Sequence, residues 1–242
     1  MPPALEVNRL SYSYPDGKRA LNEVTLSVDA GERVAILGPN GAGKTTLAMH
    51  LNGLFRADTG SIEIGGLHLD EKTLPEIRRQ VGLVFQDAND QLFMPTVRDD
   101  VGFGPANLGL AGHDLDQRVS EALGAVGVSS LAGRAPHHLS GGEKRKVAIA
   151  TVLAMEPEIL VLDEPSAGLD PANRRELIGL LQGIDITQIV VTHDLPLALD
   201  LCPRAVIMDA GRVVAAGATG DLLADSRMLA GHRLEMPYPL AD

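Results

Sequence analysis

The stretch "GPNGAGKT" at residues 38–45 limits the fold most strongly, because it joins an apolar run to a helical pattern through a glycine-rich turn. It matches G-x-x-x-x-G-K-[ST]; the run "RVAIL" predicts a strand before it, and the residues after it predict a helix from Lys44 to Leu51. Glycines let backbone N–H groups curl around phosphate oxygens, and the start of the helix adds a partial positive charge. The sequence therefore predicts a strand–loop–helix unit that binds a nucleotide phosphate.

Two side chains of this loop have predicted roles. The Lys44 ammonium is expected to reach the β- and γ-phosphates, and the Thr45 hydroxyl is expected to ligate Mg²⁺. The full set of candidate nucleotide-binding residues in the loop is Gly38, Pro39, Asn40, Gly41, Ala42, Gly43, Lys44, Thr45 and Thr46.

A second motif, "ILVLDEP" at 159–165, predicts a buried strand that ends in two adjacent carboxylates. Asp163 is expected to hold Mg²⁺, directly or through water. Glu164 is expected to act on the attacking water as a general base or as a group that positions it. An Asp-Glu pair at a strand end is weak evidence alone, but beside a phosphate loop it predicts transfer of a phosphoryl group from ATP to water.

The apolar pattern divides the chain into an α/β core and a helical insert. Strands are predicted at 5–10, 24–29, 33–38, 61–64, 81–85, 159–163, 186–192 and 204–209, and further helices at 115–126, 171–182 and 194–201. Strand signals disappear from about 95 to 155. The prediction is one domain, with 1–94 and 156–242 as a mostly parallel sheet covered by helices and about 95–155 as an inserted helical subdomain.

Charge and composition exclude several kinds of partner. With 21 Lys and Arg against 32 Asp and Glu, the formal net charge is −11, which argues against a broad nucleic-acid surface. The single cysteine, Cys202, allows no intrachain disulfide. The start "MPPALEVNRL" has no signal-peptide pattern, and the longest apolar run, 147–155, is about half of a membrane span. We therefore expect a cytoplasmic protein that reaches a membrane only through a partner.

The stretch "LSGGEKRKVAIATVLAMEP" at 139–157 closely resembles the signature motif of ABC-type ATPases. Ser140 and the pair Gly141–Gly142 begin a helix, so the chain has a second predicted anion-binding helix start. In that family the second start faces the γ-phosphate held by the other subunit of a dimer. The resemblance implies a P-loop core with an N-terminal antiparallel β portion, and a trans ATP contact by Ser140, Gly141, Gly142 and Glu143.

Other positions resemble the family in the expected order. Tyr14 matches the aromatic residue that stacks on adenine, with Tyr12 as the competing candidate; Gln86 matches the glutamine that touches Mg²⁺ and the attacking water. Asp170 matches the residue that links the two ATP sites, and His193 matches the switch histidine at the γ-phosphate. Because Glu164 and the signature occur in one chain, a homodimer is favoured over pairing with a relative.

Two positions depart from the family pattern. Glu143 stands where the signature usually has glutamine, and Ser166 stands where threonine is common. The first change is expected to alter one contact while preserving activity.

The segment "QDANDQLFMPTVRDDVGFGPANLGL" at 86–110 resembles ATPases of energy-coupling-factor importers, particularly those for cobalt and nickel. Such importers add a transmembrane coupling subunit and a membrane protein that captures the substrate. The resemblance implies that Gln91, Leu92 and Phe93 contact the coupling subunit at the cytoplasmic face of the membrane. The alternative is that Leu92 and Phe93 simply pack the helical insert.

Other functions remain open at this point. A vitamin importer of the same type, for example for biotin, fits the motifs equally well. A soluble ABC ATPase of iron–sulfur assembly would keep every ATP motif but has no need of the 86–110 segment. The pair His137–His138 is interpreted as loop or helix cap rather than as a metal site.

Overall fold

A computed structural model describes residues 3–235 of the chain. Its contacts divide the described chain into two compact units. The first comprises the residues up to Leu83, Glu158–Glu164, and the residues from Asp185 onward, and the second comprises Val84–Pro157 and Pro165–Ile184.

The first unit contains both β-sheets. Its strands are β1 Leu5–Ser13, β2 Arg19–Val28, β3 Arg33–Leu37, β4 Thr59–Ile64, β5 Leu67–His68, β6 Val81–Val84 (whose last residue belongs to the second unit), β7 Ile159–Asp163, β8 Thr187–Thr192, β9 Arg204–Asp209 and β10 Arg212–Ala218. Its helices are α1 Lys44–Leu51, α2 Leu74–Gln80, α7 Leu195–Leu201, α8 Thr219–Ala224 and α9 Ser226–Gly231.

The larger sheet has the strand order β10-β9-β3-β8-β7-β6. Strand β3 pairs in parallel with β8 and β9, β7 pairs in parallel with β8, and β10 pairs antiparallel with β9. All five residues of β7 and all six of β8 are buried, as expected of strands covered on both faces. The predicted α/β class with a mostly parallel sheet is confirmed.

The smaller sheet has the order β2-β1-β4-β5 and is antiparallel throughout. Its alternating pattern buries Leu5, Val7 and Leu10 of β1 and Leu26 and Val28 of β2 on one face. The implied N-terminal antiparallel portion is thus present.

The second unit is helical. It contains α3 Val97–Asn107, α4 Gly112–Ala125, α5 Gly141–Leu153 and α6 Pro171–Gln182, and the first three of these pack on one another. The side chain of Thr96 caps α3 by accepting a hydrogen bond from the Asp99 N–H at 3.2 Å. The predicted helical character of the insert is confirmed, and the pair His137–His138 lies in a single 3-10 turn at Pro136–His138.

Two further observations concern the single cysteine and membrane-spanning helices. Cys202 follows α7, is buried, and has its thiol pKa raised to about 12 by that burial. Among residues 3–235, no helix combines the length and the apolar character needed to cross a bilayer.

Candidate functional site

The phosphate loop connects the end of β3 to the start of α1. Gly43 precedes α1 with φ 98°, a left-handed conformation, and no side chain caps the helix there in the described structure. A Cβ atom on Gly43 would lie 2.5 Å from the Ala20 carbonyl oxygen, and one on Gly38 would lie 2.1 Å from the Met208 carbonyl oxygen. Both positions therefore require glycine, and the first backbone N–H groups of α1 stay free of side-chain acceptors.

Lys44 is held against the loop that it follows. Its ammonium donates hydrogen bonds to the Gly38 carbonyl at 2.8 Å and the Pro39 carbonyl at 3.2 Å, and its side chain is 6% exposed. Burial lowers the pKa of Lys44, while the nearby carboxylates of Glu164 and Asp163 act in the opposite direction. The charge is thus fixed beside the curved backbone rather than extended into solvent.

Thr45 and Asp163 meet across the first unit as the sequence predicts. The Thr45 hydroxyl donates to the Asp163 carboxylate at 3.2 Å, and Asp163 ends the buried strand β7. A hydroxyl and a carboxylate side by side are the hard oxygen ligands that Mg²⁺ takes together with substrate phosphates. The two side chains fit Mg²⁺ that is bound together with substrate phosphates, since this ion takes few protein ligands in such sites. Among the described residues there is no cluster of three or more His, Cys, Asp or Glu side chains suited to a metal.

The Glu164 carboxylate is held by neighbours on both of its oxygens. It is 6% exposed, its Oε2 accepts from the Thr192 hydroxyl at 3.0 Å, and its Oε1 lies 2.8 Å from His193 Nδ1. The Lys44 ammonium lies 3.9 Å from Oε1. The structure therefore brings together three of the predicted catalytic residues, Lys44, Glu164 and His193.

The backbone of Glu164 is strained. Its φ is 46°, uncommon for a residue with a side chain, and its N–H donates to the Val191 carbonyl at 2.7 Å. Such conformations cost about 1–3 kcal/mol and gather at functional sites. Thr192, buried in β8, is a participant that the motif search missed, although it stands directly before His193 in "VVTHD".

The two candidate adenine-stacking tyrosines are in contact with each other. Tyr12 stacks on Phe55 with ring centroids 5.4 Å apart and an interplanar angle of 14°. Tyr14 meets Tyr12 edge-on, and its hydroxyl lies 2.8 Å from the Thr46 hydroxyl beside the phosphate loop. One face of Tyr12 is thus already covered by Phe55, while Tyr14 is tied to the loop.

The signature stretch forms the start of α5 in the second unit. The Ser140 hydroxyl accepts from the Glu143 N–H at 3.3 Å, and the Glu143 carboxylate accepts from the Ser140 N–H at 2.8 Å. This reciprocal pair is a capping box. The hydrogen bond from the Ser140 backbone lowers the pKa of Glu143, so its carboxylate is charged at neutral pH.

Asp170 caps α6 and lies close to the signature turn through one shared neighbour. Its carboxylate accepts from the backbone N–H groups of Ala172 at 2.9 Å and Asn173 at 3.0 Å, and these bonds lower its pKa. A Cβ atom on Gly142 would lie 2.6 Å from Asn173 Oδ1. Asn173 therefore connects the signature turn with the predicted linking residue.

The family follows from comparison with known proteins. The family model described as "ABC transporter" matches residues 21–167, more than half of the chain. The chain belongs to the ABC transporter ATP-binding family. It is accordingly an ATP-hydrolysing, ATP-binding subunit of an ABC transporter.

Individual relatives are similar in sequence to this chain over nearly its whole length. A Streptomyces avermitilis protein provisionally named an ABC transporter ATP-binding protein is 57% identical over 98% of this chain and 90% of its own length. The cobalt import ATP-binding protein CbiO of Rhodobacter capsulatus is 48% identical over 98% of this chain and 86% of its own. The energy-coupling factor transporter ATP-binding protein EcfA of Methanothermobacter thermautotrophicus is 46% identical over 96% of this chain and 76% of its own.

Solved structures show the same fold. CbiO1 of Clostridium perfringens, part of the ABC transporter complex CbiONQ, superposes with a TM-score of 0.85 at 38% identity, covering 96% of this chain and 94% of that one. The cassette MJ0796, a dimer bound to ADP and phosphate in a post-hydrolysis state, gives a TM-score of 0.79 at 29% identity over 89% and 98% of the two chains.

In this ABC ATPase, the segment that follows Gln86 has inward and outward residues. The Gln91 amide donates to the Ala148 carbonyl at 2.7 Å and to the Thr151 hydroxyl at 2.6 Å, and Leu92 is only 9% exposed. Phe93 is 64% exposed and stands edge-on to Phe103, itself 44% exposed, with centroids 5.1 Å apart. Of the three residues predicted to contact a membrane subunit, only Phe93 offers a large apolar surface.

Backbone hydrogen bonds to Asp100 fix the position of Phe93. The N–H groups of Phe93 and Met94 both donate to one carboxylate oxygen of Asp100, each at 3.0 Å, and Asp100 is 4% exposed. Burial raises the pKa of Asp100 against the lowering effect of these two bonds. Asp100 stands within "TVRDDVGFGP", and its role was not evident from the sequence.

Proposed function

We propose that this ATPase powers an energy-coupling-factor importer for a transition metal ion, cobalt or nickel. The observation that carries the proposal is the Phe93–Phe103 pair, exposed within the segment that resembles such importers. The names of the CbiO and EcfA relatives support the same class. On this proposal the chain is peripheral, at the cytoplasmic face of the cell membrane, and binds a transmembrane coupling subunit that works with a substrate-capture protein.

In the proposed ATP site, Tyr14 stacks on adenine and the backbone from Gly38 to Thr46 surrounds the phosphates. Lys44 offsets charge on the β- and γ-phosphates, and Thr45, Asp163 and Gln86 would hold Mg²⁺. The ion would neutralise phosphate charge that develops during transfer. Glu164, aligned by Thr192 and His193, would position the attacking water and accept its proton.

Two copies of the chain would share each ATP. Ser140, Gly141, Gly142 and Glu143 of one copy would meet the γ-phosphate bound by the other, and Asp170 would link the two sites. ATP favours the closed dimer because only there do both sets of contacts exist, and hydrolysis with phosphate release reopens it. The dimer of the MJ0796 relative supports this arrangement.

A crosslinking experiment tests the membrane partner. A photoreactive phenylalanine replaces Phe93 in one variant and Val214, which is 38% exposed in the first unit, in a control variant. Both are expressed with the membrane proteins of the importer. We expect a crosslink from position 93 to a transmembrane coupling subunit and none from position 214. Equal labelling from both positions would contradict the proposed surface.

The matched variants Phe93→Glu and Leu92→Glu separate docking from core packing. Phe93→Glu is expected to keep ATP hydrolysis and lose transport, because its side chain lies on the surface. Leu92→Glu is expected to unfold the helical unit, because it places a charge in the core. Loss of ATPase activity in Phe93→Glu would show that position 93 belongs to the core.

The imported substrate is identified by uptake. Cells producing the complete importer are given labelled cobalt, nickel or biotin, with a Glu164→Gln strain as the control. Uptake of cobalt or nickel that depends on Glu164 supports the proposal. Biotin uptake alone would identify a vitamin importer, and full activity with no membrane partner would favour a soluble ATPase such as those of iron–sulfur assembly.

A further inference from the structure

One arginine of α5 is attached to the backbone at Gln86. The Arg145 guanidinium donates from Nη1 to the Phe85 carbonyl at 2.8 Å and from Nη2 to the Gln86 carbonyl at 2.6 Å. Arg145 is 5% exposed, and its two partly buried hydrogen bonds are strengthened by the charge of the guanidinium. The planar guanidinium fixes both carbonyls at once, which a lysine ammonium at this position does less well.

Further contacts hold the rest of the same segment on α5. The Lys144 ammonium donates to the Asn89 side chain at 2.8 Å. Gln91 donates to the Ala148 carbonyl and the Thr151 hydroxyl, and its own side-chain oxygen accepts from the Phe85 N–H at 3.2 Å. The segment from Phe85 to Gln91 is thus attached to one helix along its whole length.

The helix that carries these contacts begins at the signature turn. Arg145 lies two residues beyond Glu143, in the first turns of α5. A displacement of the start of α5 is therefore expected to move the Gln86 backbone with it, because hydrogen bonds from a charged guanidinium are costly to break. None of the motifs that match the family assigns this task to Arg145.

We propose that Arg145 is the positioning residue for Gln86, transmitting to it the placement of the signature helix. The proposal rests on the proposed function, in which Gln86 helps to hold Mg²⁺. When the start of α5 engages the nucleotide of the second copy, Arg145 sets the Gln86 backbone in the same chain. Arg145 acts through the Gln86 backbone.

The test is a double-mutant cycle between Arg145→Met and Gln86→Ala, measured as kcat and KM for ATP. Methionine keeps much of the buried stem and removes the guanidinium. We expect Arg145→Met to lower kcat roughly tenfold with KM for ATP unchanged. In the Gln86→Ala background the same change is expected to have no further effect on kcat.

Arg118→Met is the matched control. Arg118 lies in the same unit and also donates to a backbone carbonyl, that of Ala154 at 3.1 Å, but its charged partner is the Glu156 carboxylate at 3.0 Å rather than the segment at Gln86. Its loss is expected to leave kcat unchanged. Arg145→Lys, which can still donate to one carbonyl, is expected to recover part of kcat and provides the readout if Arg145→Met does not fold.

The outcomes distinguish failure of the proposed role of Gln86 from failure of the proposed role of Arg145. An unchanged kcat in Gln86→Ala alone would overturn the role of Gln86 in the proposed function. A reduced kcat in Gln86→Ala, with Arg145→Met lowering it by the same factor in both backgrounds, would overturn the role of Arg145 only. A loss in Arg145→Met that merely follows the loss of folded protein, or Arg145→Lys no better than Arg145→Met at equal folded fraction, would also overturn it.

Discussion

Two helix starts of this chain have similar glycine-rich sequences but different local chemistry. At α1, Gly43 sits in a left-handed conformation, and the described structure has no side-chain cap there. At α5, Ser140 and Glu143 cap each other. The first start thus offers its N–H groups to a phosphate, while the second already satisfies two of them with its own side chains.

This difference in capping indicates that the two helix starts have separate tasks. A start without a side-chain cap, beside Lys44, suits tight binding of ATP within one copy. At the start of α5, the Glu143 carboxylate competes with an approaching phosphate for the backbone N–H groups. The carboxylate also repels the phosphate, because both groups are negative. The second start therefore suits a weaker, reversible contact, which the proposed dimer needs in order to open after hydrolysis. The substitution of glutamate for the usual glutamine strengthens this difference.

The largest expected effect tests the chemistry beside α1. Glu164→Gln removes the carboxylate that Thr192 and His193 align, and should lower kcat for ATP by about a thousandfold. ATP affinity should stay close to that of the unchanged protein, measured with a fluorescent nucleotide. Glu158→Gln, an exposed change at the other end of β7, is the control. A kcat within threefold of the unchanged protein in Glu164→Gln would remove Glu164 from the mechanism.

The next prediction tests whether the start of α1 must have glycine at position 43 and no side-chain cap. Gly43→Ala should weaken ATP binding about a hundredfold or more and lower the free energy of unfolding by about 1–3 kcal/mol, because of its left-handed φ and the approach to the Ala20 carbonyl. Calorimetric titration and urea unfolding measure the two quantities. Gly141→Ala, where a Cβ atom meets nothing within 4 Å, should leave the free energy of unfolding and the binding of ATP by a single copy unchanged. Equal losses in the two variants would abolish the distinction between the helix starts.

A smaller effect tests the charge at α5. Glu143→Gln should strengthen ATP-induced dimerisation about two- to fivefold, because it removes a carboxylate from the helix start that is proposed to face the phosphate of the second copy, while keeping a side chain able to complete the cap. Sedimentation equilibrium with ATP measures the dimer. Glu121→Gln, an exposed change on α4, controls for net charge. Weaker dimerisation in Glu143→Gln would mean that the carboxylate itself helps to join the two copies.

The smallest effect tests the cap alone. Ser140→Ala should lower the free energy of unfolding by about 1 kcal/mol, and Thr96→Ala, at the start of α3, should do the same. Only Ser140→Ala should impair dimerisation. The pKa of Glu143 is lowered in the folded chain, so its contribution to stability is present above the ordinary carboxyl range and lost as pH falls below it. Urea unfolding at successive pH values should show that part of the loss in the unchanged protein and not in Glu143→Gln.

The sequence predicted those features that depend on neighbouring residues. The helix at Lys44–Leu51, the helix at Pro171–Gln182 and the strand Ile159–Asp163 have the predicted bounds, because turn residues and apolar periodicity fix them locally. Strand β10 was missed, since "RVVAAGA" is small, half-exposed and edge-placed.

Contacts between residues far apart in the chain could not be predicted from the sequence. Arg145 reaches carbonyls about sixty positions away in the chain. Asp100 resembles any acidic residue early in a helix until its bonds to the Phe93 backbone are known. The same limit explains the membrane-contact prediction, which grouped Gln91 and Leu92 with Phe93 although the fold directs the first two inward.

The measurement that tests the whole mechanism is the mass of Glu164→Gln in solution, with and without saturating ATP, by analytical ultracentrifugation. We expect monomers without ATP and dimers with it, while the double variant Glu164→Gln/Ser140→Ala stays largely monomeric at the same concentration. A Glu164→Gln protein that binds ATP yet stays monomeric, or a double variant that dimerises equally well, would contradict an ATP site completed by the signature helix of a second copy.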